Sequence, residues 1–133
     1  MKLITRNTDY AIRVLILMAK EKRLFSVRKL SLKLKMPHAF LRRILQILHK
    51  KNILKGYKGK GGGFLLEKKP KEIKILELIR IFQGELKLNE CLFKKSLCPN
   101  VKKCPLKRKL DRIERCVISK IKEIDLESLM KDG

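Results

Sequence analysis

The chain of 133 residues has no tryptophan, two tyrosines and five phenylalanines, 13 acidic residues against 35 lysines and arginines, and two histidines. No stretch approaches the roughly 18 consecutive apolar residues of a membrane span, so a membrane protein is excluded. Met1-Lys2-Leu3-Ile4-Thr5-Arg6 lacks the uninterrupted apolar region and cleavage site of a signal peptide, and a cytoplasmic location is expected. The seven glycines and four prolines are ordinary numbers that exclude collagen, and the recurring Leu and Ile exclude disorder. With two histidines and no nucleophile, paired-carboxylate or phosphate-loop constellation, nothing points to an enzyme. Scarce aromatics and the lack of a basic-aromatic stacking motif count against an RNA-binding module, the class that charge alone would also suit.

What the sequence has in excess is positive charge, +22 in all. A small domain so charged implies a polyanionic partner, because each neutralised phosphate releases a condensed counterion. Nucleic acid leads, and a merely solvated lysine-rich surface is the alternative. Where the charge sits decides between them.

Asn7 or Thr8 is a candidate cap, and Ala11, Val14, Leu15 and Met18 follow helical spacing, which predicts an amphipathic helix over residues 8 to 20. Ser26 is a second cap; Val27, Leu30 and Leu34 then line a shorter helix ending near Lys35-Met36. Pro37 pre-sets the first turn of a third helix, 37 to 51, in which Leu41, Ile44, Leu45 and Leu48 form the cleanest apolar stripe of the chain. Arg42, Arg43, Gln46, His49 and Lys50 stand on its other face. A short helix, a tight turn and a helix with a basic outer face make a helix-turn-helix.

Two short apolar runs, Ile53 to Tyr57 and Phe64 to Glu67, flank Lys58-Gly59-Lys60-Gly61-Gly62-Gly63 and read as a β-hairpin. The glycines permit close backbone approach and leave Lys58 and Lys60 at the tip, as in the wing of a winged helix. A flexible basic loop is the alternative. Ile75, Leu76, Ile79 and Phe82 mark a fourth helix ended by Gln83-Gly84. From Pro105, Leu106, Leu110, Ile113, Val117, Ile121 and Ile124 extend one stripe to about residue 124, long enough to meet a twin in a homodimer or to pack back on its own domain. The fold class is mostly α, a winged helix-turn-helix with a long C-terminal dimerisation helix. Its divisions are a DNA-binding domain at 1–84, a cysteine-bearing segment at 85–104, and the dimerisation helix and tail at 105–133.

Cys91, Cys98 and Cys104 are spaced Cys-x6-Cys-x5-Cys, and proline follows the second and third. Structural zinc sites use closer pairs and four protein ligands, whereas an iron–sulphur cluster accommodates thiolates spread further apart. Pro105 opening the long helix would aim its positive end at an anionic cluster. Unliganded thiols and a redox disulfide remain alternatives. Cys116 lies 12 residues past Cys104. On a continuous helix that is about 18 Å, beyond reach of the same cluster. It reads as a core or dimer-face thiol.

The chain resembles the bacterial IscR/NsrR family of winged-helix transcription regulators from Met1 to about Ile124. Leu3-Ile4-Thr5 and Asp9-Tyr10-Ala11 look like the family's opening, and Met36-Pro37-His38-Ala39-Phe40-Leu41-Arg42-Arg43-Ile44-Leu45 like its recognition helix. Lys58-Gly59-Lys60-Gly61-Gly62-Gly63-Phe64 is similar to its Arg-Gly-x-Gly-Gly-Gly-aromatic wing, with lysine in place of the planar arginine fork. The resemblance implies a homodimer that binds promoter DNA and changes affinity when an iron–sulphur cluster is gained, lost, oxidised or attacked by nitric oxide, with Cys91, Cys98 and Cys104 as ligands. The family's iron–sulphur biogenesis regulators carry a histidine three residues after the last cysteine, where this chain has Lys107, which departs from their 2Fe-2S site. In the nitric-oxide-sensing branch an acidic residue at the start of helix one, contributed by the other subunit, completes a 4Fe-4S site. Asp9 matches that position, and a charge favouring the helix dipole is the alternative role for it.

The expected regulator, repressor or activator, enters the major groove of double-stranded promoter DNA at a near-palindromic operator. Arg42, Arg43 and Gln46 read bases, because arginine pairs with guanine edges and glutamine with adenine. His38 and Lys50 touch phosphates, and Lys58 and Lys60 reach the minor groove or backbone. Two other readings stand: a regulator of this fold without a cluster, using its cysteines as a thiol switch or zinc site, and the RNA-binding module.

Overall fold

In the computed structural model, residues 3–87 and 104–131 are described. Helix α1 (Arg6–Glu21) is followed by α2 (Val27–Leu34), α3 (His38–Lys50), a hairpin of β1 (Leu54–Tyr57) and β2 (Gly63–Leu66), a 3-10 turn (Pro70–Glu72), α4 (Ile75–Gln83), α5 (Pro105–Lys122) and α6 (Leu126–Lys131). The architecture is the expected winged helix-turn-helix.

Apolar periodicity places each helix. Ala11, Val14, Leu15 and Met18 of α1 are buried, and so are Leu41, Ile44, Leu45 and Leu48 of α3, all four of the stripe read from the sequence. Both meet Leu78 and Ile79 of α4 in one core. Ser26 caps α2 as expected, its Oγ accepting from the Lys29 N–H at 3.2 Å. Lys35, at φ 54°, ends that helix in the left-handed conformation and makes the tight turn into α3.

Two caps differ from expectation. Helix α1 begins at Arg6 with Thr5 at its N-cap position, so neither Asn7 nor Thr8 caps it. Thr8 is instead fully buried and donates to Gln83 Oε1 at 2.7 Å, the same oxygen that accepts the Thr5 N–H at 2.9 Å. The Gln83 amide Nε2 donates to the Leu3 carbonyl at 3.2 Å. One carboxamide at the end of α4 thus supplies the start of α1 with the partners a local cap would give. Gln83→Ala leaves the buried Thr8 hydroxyl only the longer contact to Thr5 Oγ1 at 3.3 Å, and an expected loss of about 1 kcal/mol is checked by denaturant titration. Pro37 is the second case. At φ −57° and ψ 132° it precedes α3 and is not part of its first turn.

The hairpin pairs Leu54 with Leu66 and Tyr57 with Gly63. Phe25, fully buried, adds an isolated bridge to Phe64 and so ties the α1–α2 connection to β2. The Arg23 guanidinium lies 4.9 Å from the Phe25 ring centroid and the Lys33 ammonium 5.7 Å, and both pair with Glu21 at 2.9 Å. The Lys33 hydrogen bond, outweighing desolvation and joined by the charges of Lys33 and Arg23, holds the Glu21 carboxyl below its ordinary value. A carboxylate depressed by folding stabilises above its ordinary titration range and loses that contribution as pH falls through the lowered value. Glu21→Gln is therefore expected to lower the neutral plateau slightly while leaving the acid end unchanged, and so to flatten the acid limb of a stability–pH curve. An acid limb as steep as that of the parent would contradict the pairing.

The long helix does two things. Ile121 is buried in the common core with Val117 and Ile118 packed against it, whereas Leu106 is 65% and Ile113 53% exposed. A further helix, α6, was not expected. Asp125 starts it by accepting the Ser128 N–H at 2.8 Å, and Leu126, fully buried, donates its N–H to the Ile73 carbonyl at 2.9 Å. The end of the chain's long stripe thus packs back on the winged helix while its beginning, at Leu106 and Ile113, is exposed.

Candidate nucleic-acid interface and cysteine segment

His38, Arg42, Gln46 and Lys50 recur every four residues along α3, with Arg43 beside them. All five side chains are exposed. The buried stripe on the opposite face holds the helix down, so the side chains expected to read and grip DNA are displayed together on a rigid support. Among the described residues none of Arg42, Arg43 and Lys50 is engaged in an ion pair. Lys58 and Lys60 are exposed in the turn of the wing, where Gly59 and Gly61 take φ of 93° and 77°.

His49 is exposed, as the helical pattern suggests, and its ring also meets the wing. Its Nδ1 lies 3.2 Å from the Leu54 carbonyl, and its ring meets Phe64 edge-on at 6.1 Å. Gly56 makes room for it: a Cβ there would stand 3.3 Å from His49 Cε1. Recognition helix and wing are joined through this ring, a role that only the three-dimensional contact reveals. At the other end of α3, Phe40 takes the edge of Tyr10 at 5.3 Å, coupling α1 to the recognition helix.

Asp9 sits in the first turn of α1, and its Oδ2 accepts from Arg13 Nε at 2.9 Å with the carboxylate side chain 44% exposed. Cys104 is a half-buried free thiol at the N-cap position of α5, with Pro105 next and no acidic residue in the first turn. That position fits an anionic metal cluster, because free N–H groups and the positive end of the helix dipole converge there. Cys91 and Cys98 lie outside the described residues. Cys116 is exposed, which overturns the core reading of that thiol and leaves the dimer face. Lys107 Nζ is hydrogen-bonded to Asp111 Oδ2 at 2.9 Å, so the side chain that stands where a histidine would ligate is engaged with Asp111.

The arrangement defines the class of protein: a winged helix-turn-helix transcriptional regulator. The family model described as Rrf2, iron-dependent transcriptional regulator, matches residues 4–132, and the chain belongs to that family. Among curated proteins it is 28% identical to the HTH-type transcriptional regulator NsrR of Bacillus subtilis, over 97% of this chain and 90% of that one. The NsrR of Oceanobacillus iheyensis is also 28% identical, over 96% and 88%. Among solved structures, CymR, the global cysteine regulator of B. subtilis, superposes with a TM-score of 0.82 at 23% identity, covering 100% of this chain and 99% of that one. T. potens IscR superposes at 0.74 and 19%, covering 99% and 88%. The structural likenesses establish the fold, and the relatives by sequence are transcriptional regulators rather than enzymes. Among the described residues no helix is long and apolar enough to cross a membrane.

Proposed function

We propose that the protein is a cytoplasmic homodimer that binds a near-palindromic promoter site and whose affinity is set by an iron–sulphur cluster held by Cys91, Cys98 and Cys104, with Asp9 contributed by the partner subunit. The exposed, unconsumed array His38, Arg42, Arg43, Gln46 and Lys50 on α3 carries the DNA-binding part of this reading. Arg42, Arg43 and Gln46 read base edges, His38 and Lys50 hold phosphates, and Lys58 and Lys60 of the wing neutralise backbone or minor-groove charge. The bare stretch of α5 around Leu106 and Ile113 supports the dimer, since two such stripes packed together remove apolar surface from water.

A bound cluster supplies a centre that responds to oxidants, nitric oxide and iron–sulphur supply. The chain's own residues transmit its state. Asp9 precedes Tyr10, whose ring rests on Phe40 in the first turn of α3, so a shift of α1 at Asp9 is passed to the recognition helix. Losing its exposed pair with Arg13 is worth only about 0.3–0.5 kcal/mol. Asp9→Asn therefore leaves the fold intact, and bleaching of the cluster in that variant tests Asp9 as a ligand without confusion with unfolding.

Binding-site selection tests the interface. Arg42→Ala is expected to relax preference at one base pair at a cost of about 1–3 kcal/mol. Lys58→Ala or Lys60→Ala is expected to weaken binding to all sequences and lower the salt slope by about one. An unchanged selection profile for Arg42→Ala removes it from base reading. A second reading, a cluster-free thiol switch or zinc site, is favoured by the lysine at position 107, paired with Asp111 where a histidine would ligate. Metal and sulphide analysis of protein purified without oxygen separates the two.

A further inference from the structure

Helix α5 carries seven lysines and arginines against two acidic residues, and they are not scattered evenly. At 3.6 residues per turn Leu106, Leu110, Ile113, Val117 and Ile121 share one face, and Arg108, Arg112, Arg115 and Lys122 share another about 180° away. All four cations are exposed and none makes an ion pair among the described residues. Arg108 and Arg112, four apart, and Arg112 and Arg115, three apart, repel each other on the helix surface, and the neighbouring Asp111 is paired with Lys107. Interspersed signs would have kept the protein soluble without that repulsion.

Within one subunit this charge stands apart from the recognition helix. Helix α5 packs mainly on α4, α4 on α1 and α1 on α3, so the helix with the basic face is joined to α3 through two others. Its apolar side is the one turned to the core, through Val117 and Ile121. Pairing of two copies through Leu106 and Ile113 would leave the basic face open.

We propose that this face of α5 is a second polyanion site that takes the phosphate backbone of a second DNA duplex, so that a protein molecule on its promoter also holds another segment of DNA. From Arg108 to Lys122 the face runs about 21 Å along the helix. A duplex presents one negative charge per about 1.7 Å, or roughly a dozen phosphates over that length. Three of the four cations are arginines, whose planar forks suit phosphate oxygens. An acidic protein is the competing partner, but protein interfaces need an apolar centre, and between these cations the face offers only Ser119. Backbone contact alone reads no bases, so the second site is independent of sequence.

The inference rests on DNA binding by the winged helix, and the test reports on that separately. The protein is loaded on an immobilised short duplex, and a fluorescent second duplex is then added. The expected result is salt-sensitive capture of the second duplex. The R108Q/R112Q/R115Q variant is expected to load equally on the first duplex and to lose capture by at least about tenfold, with a salt slope for capture smaller by about 2.7, three phosphates at about 0.9 each. Its melting temperature is expected to equal or exceed that of the parent, because the repulsion is gone, which shows that the loss is not unfolding. No capture by the parent protein, or capture undiminished in the variant, overturns the proposal. Retention of the parent on polyglutamate without capture of the second duplex overturns it in favour of an acidic protein.

Discussion

Gly63→Ala is expected to unhook the wing and to destabilise the protein by about 3 kcal/mol, near the top of the ordinary range for one substitution. A Cβ at Gly63 would stand 2.3 Å from the Phe25 carbonyl oxygen and 2.7 Å from its carbon, both backbone atoms that no rotamer change can move aside. Those atoms belong to the reciprocal pair in which the Phe25 N–H donates to the Phe64 carbonyl at 2.9 Å and the Phe64 N–H to the Phe25 carbonyl at 2.7 Å. Forcing them apart exposes the buried Phe25 and frees the hairpin whose turn carries Lys58 and Lys60. At about 4 °C per kcal/mol for a chain of this size, the melting temperature falls by about 12 °C. Gly84→Ala is the control. At φ 81° and ψ −165° alanine is strained there too, but nothing lies within 4 Å of the added atom, so only backbone strain opposes the substitution and a loss of about 1–2 kcal/mol is expected. Equal losses in the two variants would show that the strand does not depend on close approach.

Cys104→Ala is expected to abolish the visible absorption of protein purified without oxygen, and with it any difference in DNA affinity between cluster-loaded and stripped protein. The thiol opens α5 and is only half buried, so its removal leaves no large cavity and the helices survive, as a circular dichroism spectrum checks. Cys116→Ala is expected to leave the spectrum unchanged, because that exposed side chain lies about 18 Å further along the same helix. A variant lacking Cys104 that keeps its colour would assign the cluster to other ligands.

The recognition unit was legible because its parts are local. Leu41, Ile44, Leu45 and Leu48 repeat with the helical period and are buried, and the polar Arg42, Arg43 and Gln46 between them are exposed. Glycines around two lysines marked the wing for the same reason, since turn chemistry is written in adjacent residues. What escaped is held by contacts between distant positions. Gln83 reaches Thr8 across 75 residues, and no periodicity or motif announces a side chain that caps another helix. The helical wheel put His49 with the basic residues and gave no sign that its ring also meets Leu54 and Phe64 of the wing. Six residues are too few for α6 to display a period, and its Asp125 cap lacks the acidic third position of a capping box. Cysteine spacing and the adjacent Pro105 marked Cys104 as a candidate ligand at the start of the long helix, and Cys104 stands at the N-cap position of α5.

The most direct test of a cluster-controlled regulator is the affinity for a selected operator of protein purified without oxygen, measured at about 0.15 M salt before and after the metal is removed by chelation. The expected difference is at least about tenfold, equivalent to about 1.4 kcal/mol of coupling between cluster and DNA, and it disappears in Cys104→Ala and Asp9→Asn. Equal affinities of coloured and stripped protein would contradict control by the cluster and leave a winged-helix regulator in which any metal is only a structural staple.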